Sequence, residues 1–209
     1  FHALSRLSWA ARVIVFGQVV RALAFLHSKG ILHRDVKTSN ILLDKSLRHS
    51  RLCDFGLAKG QVQHTHKNGT TGVIVGSPGY MAPELMMRPA SEKTDAYALG
   101  VVLLEALTGS MAWAQPNGPG IALVDLAILD GRFNEQLLDE RAGWPLDEAH
   151  ASGQLAVSLT RFDPGQRLTA AKLAEDADFQ KQLEFAASMD HSEGPRLPPA
   201  GKQNSAPSP

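Results

Sequence analysis

Cysteine is almost absent from these 209 residues: Cys53 stands alone. One thiol cannot close an intramolecular disulfide or build a cysteine-rich zinc site, and a reducing cytosolic compartment is the simpler assumption. Net charge is lacking as well, since 21 Lys and Arg balance 21 Asp and Glu. That balance removes the electrostatic case for nucleic acid or an anionic membrane surface as the main partner. No uninterrupted apolar run reaches the roughly 18 residues of a membrane helix. Gln18 and Arg21 interrupt the first candidate, Asp95 and Glu105 bracket the second, and no segment is expected to span or contact a bilayer. The start does not read as a signal peptide, and Phe1 in place of methionine suggests residues upstream. A glycine-rich phosphate cradle is also missing: Gly118 and Gly120 would need a third glycine at 123, where Leu stands. What remains is a chain long enough to bury a core, as one domain or two small ones.

The apolar residues Trp9, Val13, Phe16, Val20, Leu23 and Leu26 recur at helical spacing and predict a long amphipathic helix, with Ser8 as N-cap and Gly30 as its stop. Ile41-Leu42-Leu43, the turn-like Asp44-Lys45-Ser46 and Arg51-Leu52-Cys53 predict a short hairpin. Residues 57–76 are rich in Gly, Thr, His and Lys and read as an exposed loop. His64 and His66 are a solvated pair there, since no cysteine or carboxylate nearby completes a metal shell. Residues 96–107 are apolar on nearly every side, the mark of a helix buried all round, capped by Ser91 or Thr94 and ended by Gly109. A loop over 110–120 and helices near 121–130, 146–161 and 169–185 come next. Past Met189 the Pro, Gly and Ser content predicts disorder; Pro195-Arg196-Leu197-Pro198 fits P-x-x-P but reads as part of that tail.

Chemistry concentrates in His33-Arg34-Asp35-Val36-Lys37-Thr38-Ser39-Asn40, where a carboxylate, an ammonium, an amide and a guanidinium fall within eight positions between a helix and a strand. A rigid scaffold presents a reactive loop well there. A solvated turn would explain any one of these residues, but not the two motifs downstream of them. Asp54-Phe55-Gly56 ends the next strand, 19 positions after Asp35, and Ala82-Pro83-Glu84 closes 30 residues after Asp54. Phosphoryl transfer needs cations on the β- and γ-phosphates and a positioned acceptor hydroxyl, so a second carboxylate must face the first across a small gap. A hairpin between Asp35 and Asp54 can fold them together.

In order and spacing, H-R-D-x-K-x-x-N, D-F-G and A-P-E resemble eukaryotic protein kinases over about residues 1–185. Leu7-Ser8-Trp9-Ala10-Ala11-Arg12, Ile41-Leu42-Leu43-Asp44 and Glu140-Arg141-Ala142-Gly143-Trp144-Pro145 look most like receptor-like or U-box-linked members of the tyrosine-kinase-like group. Lys37 is what serine/threonine kinases carry two positions after the Asp. The resemblance implies ATP and Mg as cofactors and protein Ser/Thr hydroxyls as substrate, on the cytoplasmic side of a parent that can itself be membrane-anchored. It implies Asp35 as proton acceptor, Lys37 as phosphate contact, and Asn40 and Asp54 as metal ligands. Lys37, Asn40, Leu42 and Asp54 would contact the nucleotide. Arg34 would pair with a phosphate placed by an upstream kinase on Thr65, Thr70 or Thr71. Ser77 would contact Asp35 and Lys37, Glu84 would pair with Arg167, and Asp95 would bond the backbone of the catalytic loop and hold His33 and Arg34. Leu168 stands where relatives often have Pro. Cys53 would lie on the inner wall of the nucleotide pocket as a small apolar residue, with covalent accessibility as a side hypothesis.

The same resemblance exposes another lack. The family's small strand-rich N-lobe carries a Gly-rich loop, a strand Lys and a helix Glu, and none of them is in these residues. The expected fold class is therefore mainly α, a kinase-like C-lobe with a short β-hairpin near the catalytic loop and the N-lobe absent, with 1–185 as the kinase portion and 186–209 as a Pro/Ser-rich tail. Without the missing parts, positioning and charge stabilisation are incomplete, so the chain alone is expected to transfer phosphate poorly. The alternative is a non-catalytic pseudokinase or scaffold module acting through protein contacts. Retention of Asp35, Lys37, Asn40 and Asp54 together argues against it.

Overall fold

A computed structural model describes residues 6–60, 76–114 and 120–190. The chain begins with helix α1 (Trp9–Ser28), whose N-cap Ser8 accepts from the Ala11 amide and whose end is closed by Lys29 and by Gly30 at φ +68°. Strand β1 (Ile31–Leu32), the loop over 33–40, β2 (Ile41–Leu43), β3 (Ser50–Leu52) and β4 (Lys59–Gly60) follow. β2 pairs antiparallel with β3, Leu42 opposite Arg51; β1 pairs antiparallel with β4, Leu32 opposite Lys59. The β2–β3 turn is organised by Asp44, whose carboxylate accepts from Ser46 Oγ, the Arg48 and His49 amides and the His49 ring.

Helix α2 (Glu92–Thr108) is the centre of the molecule, buried from Thr94 to Thr108. Its start is a full capping box: Ser91 Oγ accepts from the Lys93 amide and Thr94 Oγ1 from the Ser91 amide. Leu99, Leu103, Leu104 and Leu107 are at most 2 % exposed, each contributing about 1.5–3 kcal/mol of burial. Gly109 at φ +65° ends the helix. Beyond it come β5 (Trp113–Ala114), β6 (Ile121–Ala122), α3 (Leu123–Ala127), β7 (Ile128–Leu129), β8 (Arg132–Phe133), α4 (Leu146–Leu159), α5 (Ala170–Glu175) and α6 (Ala177–Asp190). β5 pairs with β6 and β7 with β8, both antiparallel.

α4 packs on α2 and both α5 and α6 pack on α1. Close approach is possible because glycine stands at the crossings: a Cβ on Gly100 would meet Leu159 Cβ at 2.8 Å, and one on Gly17 would meet Leu183 Cδ2. Arg12 crosses the core from α1 to donate to the carbonyls of Leu7 and Ala106 and, at 2.7 Å, to Asp139. Burial lowers the Arg12 guanidinium pKa, against the opposing pull of Asp139.

Several sequence expectations shift. The long first helix is less amphipathic than its spacing suggests: from Trp9 to Val20 only Ile14 and Gln18 escape burial. It is also the one helix among the described residues long and apolar enough to cross a membrane by length and composition, with 61 % of the relevant window buried in this core. The helix expected at 121–130 is a five-residue helix followed by a hairpin whose turn residues Asp130 and Gly131 have φ +50° and +72°. The helix expected at 169–185 is two, because Asp176 interrupts it and caps the second, accepting from the Phe179 amide. α6 continues to Asp190, so the expected start of the tail at 186 falls inside a helix. Most of the predicted loop over 57–76, including the His64/His66 pair, lies outside the described residues, as do Pro195 and Pro198.

Candidate active site

The polar octet lies between the end of α1 and β2, and β1–β4 pairing ties its beginning to the segment that follows Asp54. Its backbone is held from below by Asp95 at the start of α2: Oδ2 accepts from the His33 amide at 2.9 Å and Oδ1 from the Arg34 amide at 2.8 Å. A carboxylate at 2 % exposure would be costly without such partners. Arg34 takes φ +69°, a left-handed conformation unfavourable for a residue with a side chain, and the Asp95 bond is formed in that conformation. The His33 ring donates from Nε2 to the Cys53 carbonyl at 3.0 Å, accepts at Nδ1 from the Asp35 amide at 3.3 Å, and lies 5.2 Å from the Phe55 ring.

Asp35 is 7 % exposed, and each of its oxygens has a donor. Oδ1 accepts from Ser77 Oγ at 2.8 Å; Oδ2 accepts from Asn40 Nδ2 at 3.1 Å and faces Lys37 Nζ at 2.7 Å. Lys37 Nζ also reaches Ser77 Oγ at 2.9 Å. Burial pushes the Asp35 carboxyl pKa up, but Lys37, Ser77 and Asn40 together outweigh it and leave it below the ordinary carboxylate value. Asn40 spends its amide nitrogen on the Asp35 carbonyl and carboxylate, which leaves the amide oxygen as its only metal-binding atom. The Cys53 amide donates to the Asn40 carbonyl at 2.9 Å, so the hairpin brings Asp54 in beside Asn40. Asp54 is exposed, has φ 63°, and accepts from the Gly56 amide.

Among the described residues no three His, Cys, Asp or Glu side chains group to hold a metal by themselves. Asn40 and Asp54 nevertheless suit magnesium, which favours hard oxygen donors and is bound by one or two protein groups with substrate phosphates filling the remaining positions. Leu42 is an exposed apolar side chain on β2, at 56 %. Cys53 is half-buried and unbridged.

The segment ending in Ala82-Pro83-Glu84 is anchored by Glu84 and Arg167. The guanidinium, with no exposed surface, donates to both Glu84 oxygens at 2.5 and 2.7 Å and to the carbonyls of Arg161, Phe162 and Lys93. It stacks 5.0 Å from the Tyr97 ring. Arg34 lines a small cavity of about 20 Å³ with Gly76, Ser77, Tyr80 and Met81, and its buried Nε has no partner among the described residues. Thr65, Thr70 and Thr71 lie outside the described residues.

Sequence reasoning missed one network. Tyr80 Oη donates to Glu105 Oε2 at 2.7 Å and meets Thr38 Oγ1 at 3.1 Å, while the Ala112 amide donates to Glu105 Oε1 at 2.8 Å. It joins the catalytic loop, the segment before Ala82-Pro83-Glu84 and α2. Burial raises the Glu105 pKa, with Tyr80, Thr38 and Ala112 pulling it back. The signal was available: a glutamate within a helix apolar all round must find donors.

A buried loop carboxylate wired to a lysine and an asparagine, a second carboxylate at the end of the adjoining hairpin, and a Glu–Arg clamp on a mainly helical base are together the features of a lower lobe of the protein kinase class. Residues 5–178 match the family model described as the protein kinase domain, and the chain belongs to that family. It is 36 % identical over 180 residues to salt tolerance receptor-like cytoplasmic kinase 1 of Oryza sativa subsp. japonica, covering 80 % of this chain and 48 % of that protein. It is 38 % identical over 197 residues to serine/threonine-protein kinase PBL34 of Arabidopsis thaliana, covering 89 % and 39 %. With serine/threonine-protein kinase fused of Drosophila melanogaster the identity is 35 % over 160 residues, covering 76 % and 18 %. The chain thus spans less than half the length of each of these relatives.

Proposed function

We propose that this chain is the substrate-side lobe of a serine/threonine protein kinase, which moves the γ-phosphoryl group of ATP to a protein Ser or Thr hydroxyl. The observation that carries the reading is the Asp35 carboxylate, held by Ser77, Asn40 and Lys37 at 2.7–3.1 Å. The attacking hydroxyl oxygen bonds to the γ-phosphorus as the bond from that phosphorus to the ADP oxygen breaks, and the hydroxyl proton passes to Asp35. A carboxylate with lowered pKa is a weak base and takes the proton late, as suits a loose transition state in which the hydroxyl acidifies only once its bond to phosphorus forms. Lys37, already oriented by Asp35 and Ser77, supplies positive charge to the phosphoryl oxygens. Asn40 Oδ1 and the Asp54 carboxylate would hold Mg, which when bound would supply positive charge toward the phosphates. Leu42 gives the nucleotide an apolar contact; its exposure supports that role.

Arg34 serves as the receptor for an activating phosphate on Thr65, Thr70 or Thr71, and its buried Nε, without a partner among the described residues, supports this. Efficient transfer requires the Gly-rich loop, strand Lys and helix Glu that these residues lack, and the protein works on the cytoplasmic side with an upstream kinase and protein substrates as partners. The test is phosphate transfer from ATP to a Ser/Thr protein substrate by a form of the chain joined to an ATP-presenting lobe. The Asp35→Asn and Asp54→Asn forms are expected to lose most activity, about 10²–10⁴-fold for the base. Equal transfer by all three would overturn the reading and favour a scaffold.

A further inference from the structure

His27, in the last turn of α1, has no assigned role, yet its side chain is 3 % exposed and its Nε2 lies 2.9 Å from Asp95 Oδ2. That oxygen already accepts from the His33 amide, while Oδ1 accepts from the Arg34 amide. The other ring nitrogen, Nδ1, is buried with no hydrogen-bond partner among the described residues. This asymmetry identifies the tautomer. Nε2 faces a carboxylate oxygen and must carry a proton to bond it; a proton on Nδ1 would be a buried donor with no acceptor.

We propose that His27 is a positioning residue for phosphoryl transfer, its Nε2–H fixing the plane of the Asp95 carboxylate so that both oxygens meet the catalytic-loop amides. A carboxylate on an Asp side chain turns about one bond, and the two loop amides restrain that rotation from the loop side alone. The third donor comes from a different helix and pins Oδ2 from another side. With Asp95 fixed, Arg34 stays at φ +69° and Asp35 keeps its place against Ser77 and Asn40. The catalytic half of this inference rests on the proposed kinase activity; the structural half does not.

The experiment is arranged around that division. In the 209-residue chain, nitrogen NMR of the His27 ring reads the tautomer, and amide exchange reads the protection of His33 and Arg34. His27→Phe keeps the ring without a donor, His27→Asn places its amide near the Nδ1 position, and His27→Gln reaches the Nε2 position. The Phe and Asn forms should speed exchange of the Arg34 amide by about tenfold, a loss in the range expected for one charged hydrogen bond, while Gln stays near the parent rate. In the form joined to an ATP-presenting lobe, Phe and Asn should lower kcat about tenfold with KM for ATP unchanged, and Gln should restore it. A proton on Nδ1, unchanged Arg34 exchange in the Phe form, or rescue by Asn rather than Gln overturns the proposal. An unchanged kcat in the Phe form overturns its catalytic half. Absence of transfer by the parent protein overturns the kinase reading instead, and the tautomer and exchange results still decide His27.

Discussion

Removing one partner of the Glu84–Arg167 pair tests whether the activation segment is anchored by a buried charge or by packing. All five guanidinium N–H groups have acceptors: two on Glu84 and three on the carbonyls of Arg161, Phe162 and Lys93. Arg167→Met preserves most of the side-chain volume but strands the Glu84 carboxylate, 10 % exposed, with those three carbonyls. Glu84→Gln keeps the shape and leaves a buried cation whose counter-charge is gone. Either change breaks a buried ion pair from one side, which costs about 3–5 kcal/mol, whereas replacing both partners by apolar residues is often far less damaging. Against a total stability of about 5–15 kcal/mol, this is a large fraction. With a urea slope of about 3 kcal/mol/M, the unfolding midpoint should fall by about 1–1.7 M in each single variant. A Glu84→Leu/Arg167→Met double variant should lose less than the sum of the singles. Shifts below about 0.3 M in both singles, or strict additivity in the double, would refute the argument that the charge anchors the segment.

Other consequences come from the same geometry. Ser77→Ala removes one donor holding the Asp35 pKa down, so the Asp35 titration, read by carboxyl carbon NMR, should move upward. Because the folded value lies below the unfolded one of about 3.9, Asp35 stabilises the fold fully above that pH and loses its contribution as pH falls through the folded value, so Ser77→Ala should flatten acid unfolding there. Gly79 has φ +85°, and a Cβ there would meet the Ala112 carbonyl oxygen at 2.7 Å; Gly79→Ala should destabilise by about 1–3 kcal/mol in thermal unfolding. Tyr80→Phe leaves Glu105 Oε2 without its phenolic donor and should cost about 1–3 kcal/mol at neutral pH. Its sign with pH is opposite to that of Asp35: the raised Glu105 pKa makes the folded state lose stability as pH rises above the unfolded value of about 4.3, and the Phe form should lose more, seen as a steeper decline in denaturant midpoint between mildly acid and neutral pH.

The helices legible in the sequence were those with a cap at one end and an apolar body. Ser8 and Gly30 bracket α1, and Ser91 and Gly109 bracket α2. Where short elements rest on long-range partners, periodicity failed. β1 and β4 are two residues each and, among the described residues, pair only with one another across the sequence between Leu32 and Lys59, so neither carries its own signal. The Asp130-Gly131 dipeptide was a readable turn signal inside the helix expected at 121–130, and Asp176 was a readable cap inside the one expected at 169–185. At the site, residue types announced themselves because loops that do chemistry gather charge. The partners inside helices were less legible: Glu105 signals only that it needs donors, His27 not even that, and neither shows which residue it meets until the fold brings that partner into contact.

Backbone strain shows what the sequence withheld and why. Among the described residues, four other than glycine have positive φ: Arg34, Leu47, Asp54 and Asp130. Leu47 and Asp130 sit in the hairpin turns, where neighbouring side chains and a following glycine absorb the geometry. Arg34 and Asp54 instead carry the proposed chemistry, and each costs about 1–3 kcal/mol that a relaxed backbone would avoid. At Asp54 the cost is offset locally by the Gly56 amide. At Arg34 it is offset by Asp95, 61 positions later in the chain, on a helix otherwise buried among apolar side chains. The octet therefore does not fix its own shape. Moving Asp95 by a helical turn would leave every motif residue in place in the sequence and the Arg34 turn without its support, so the catalytic loop is a property of α2 as much as of residues 33–40.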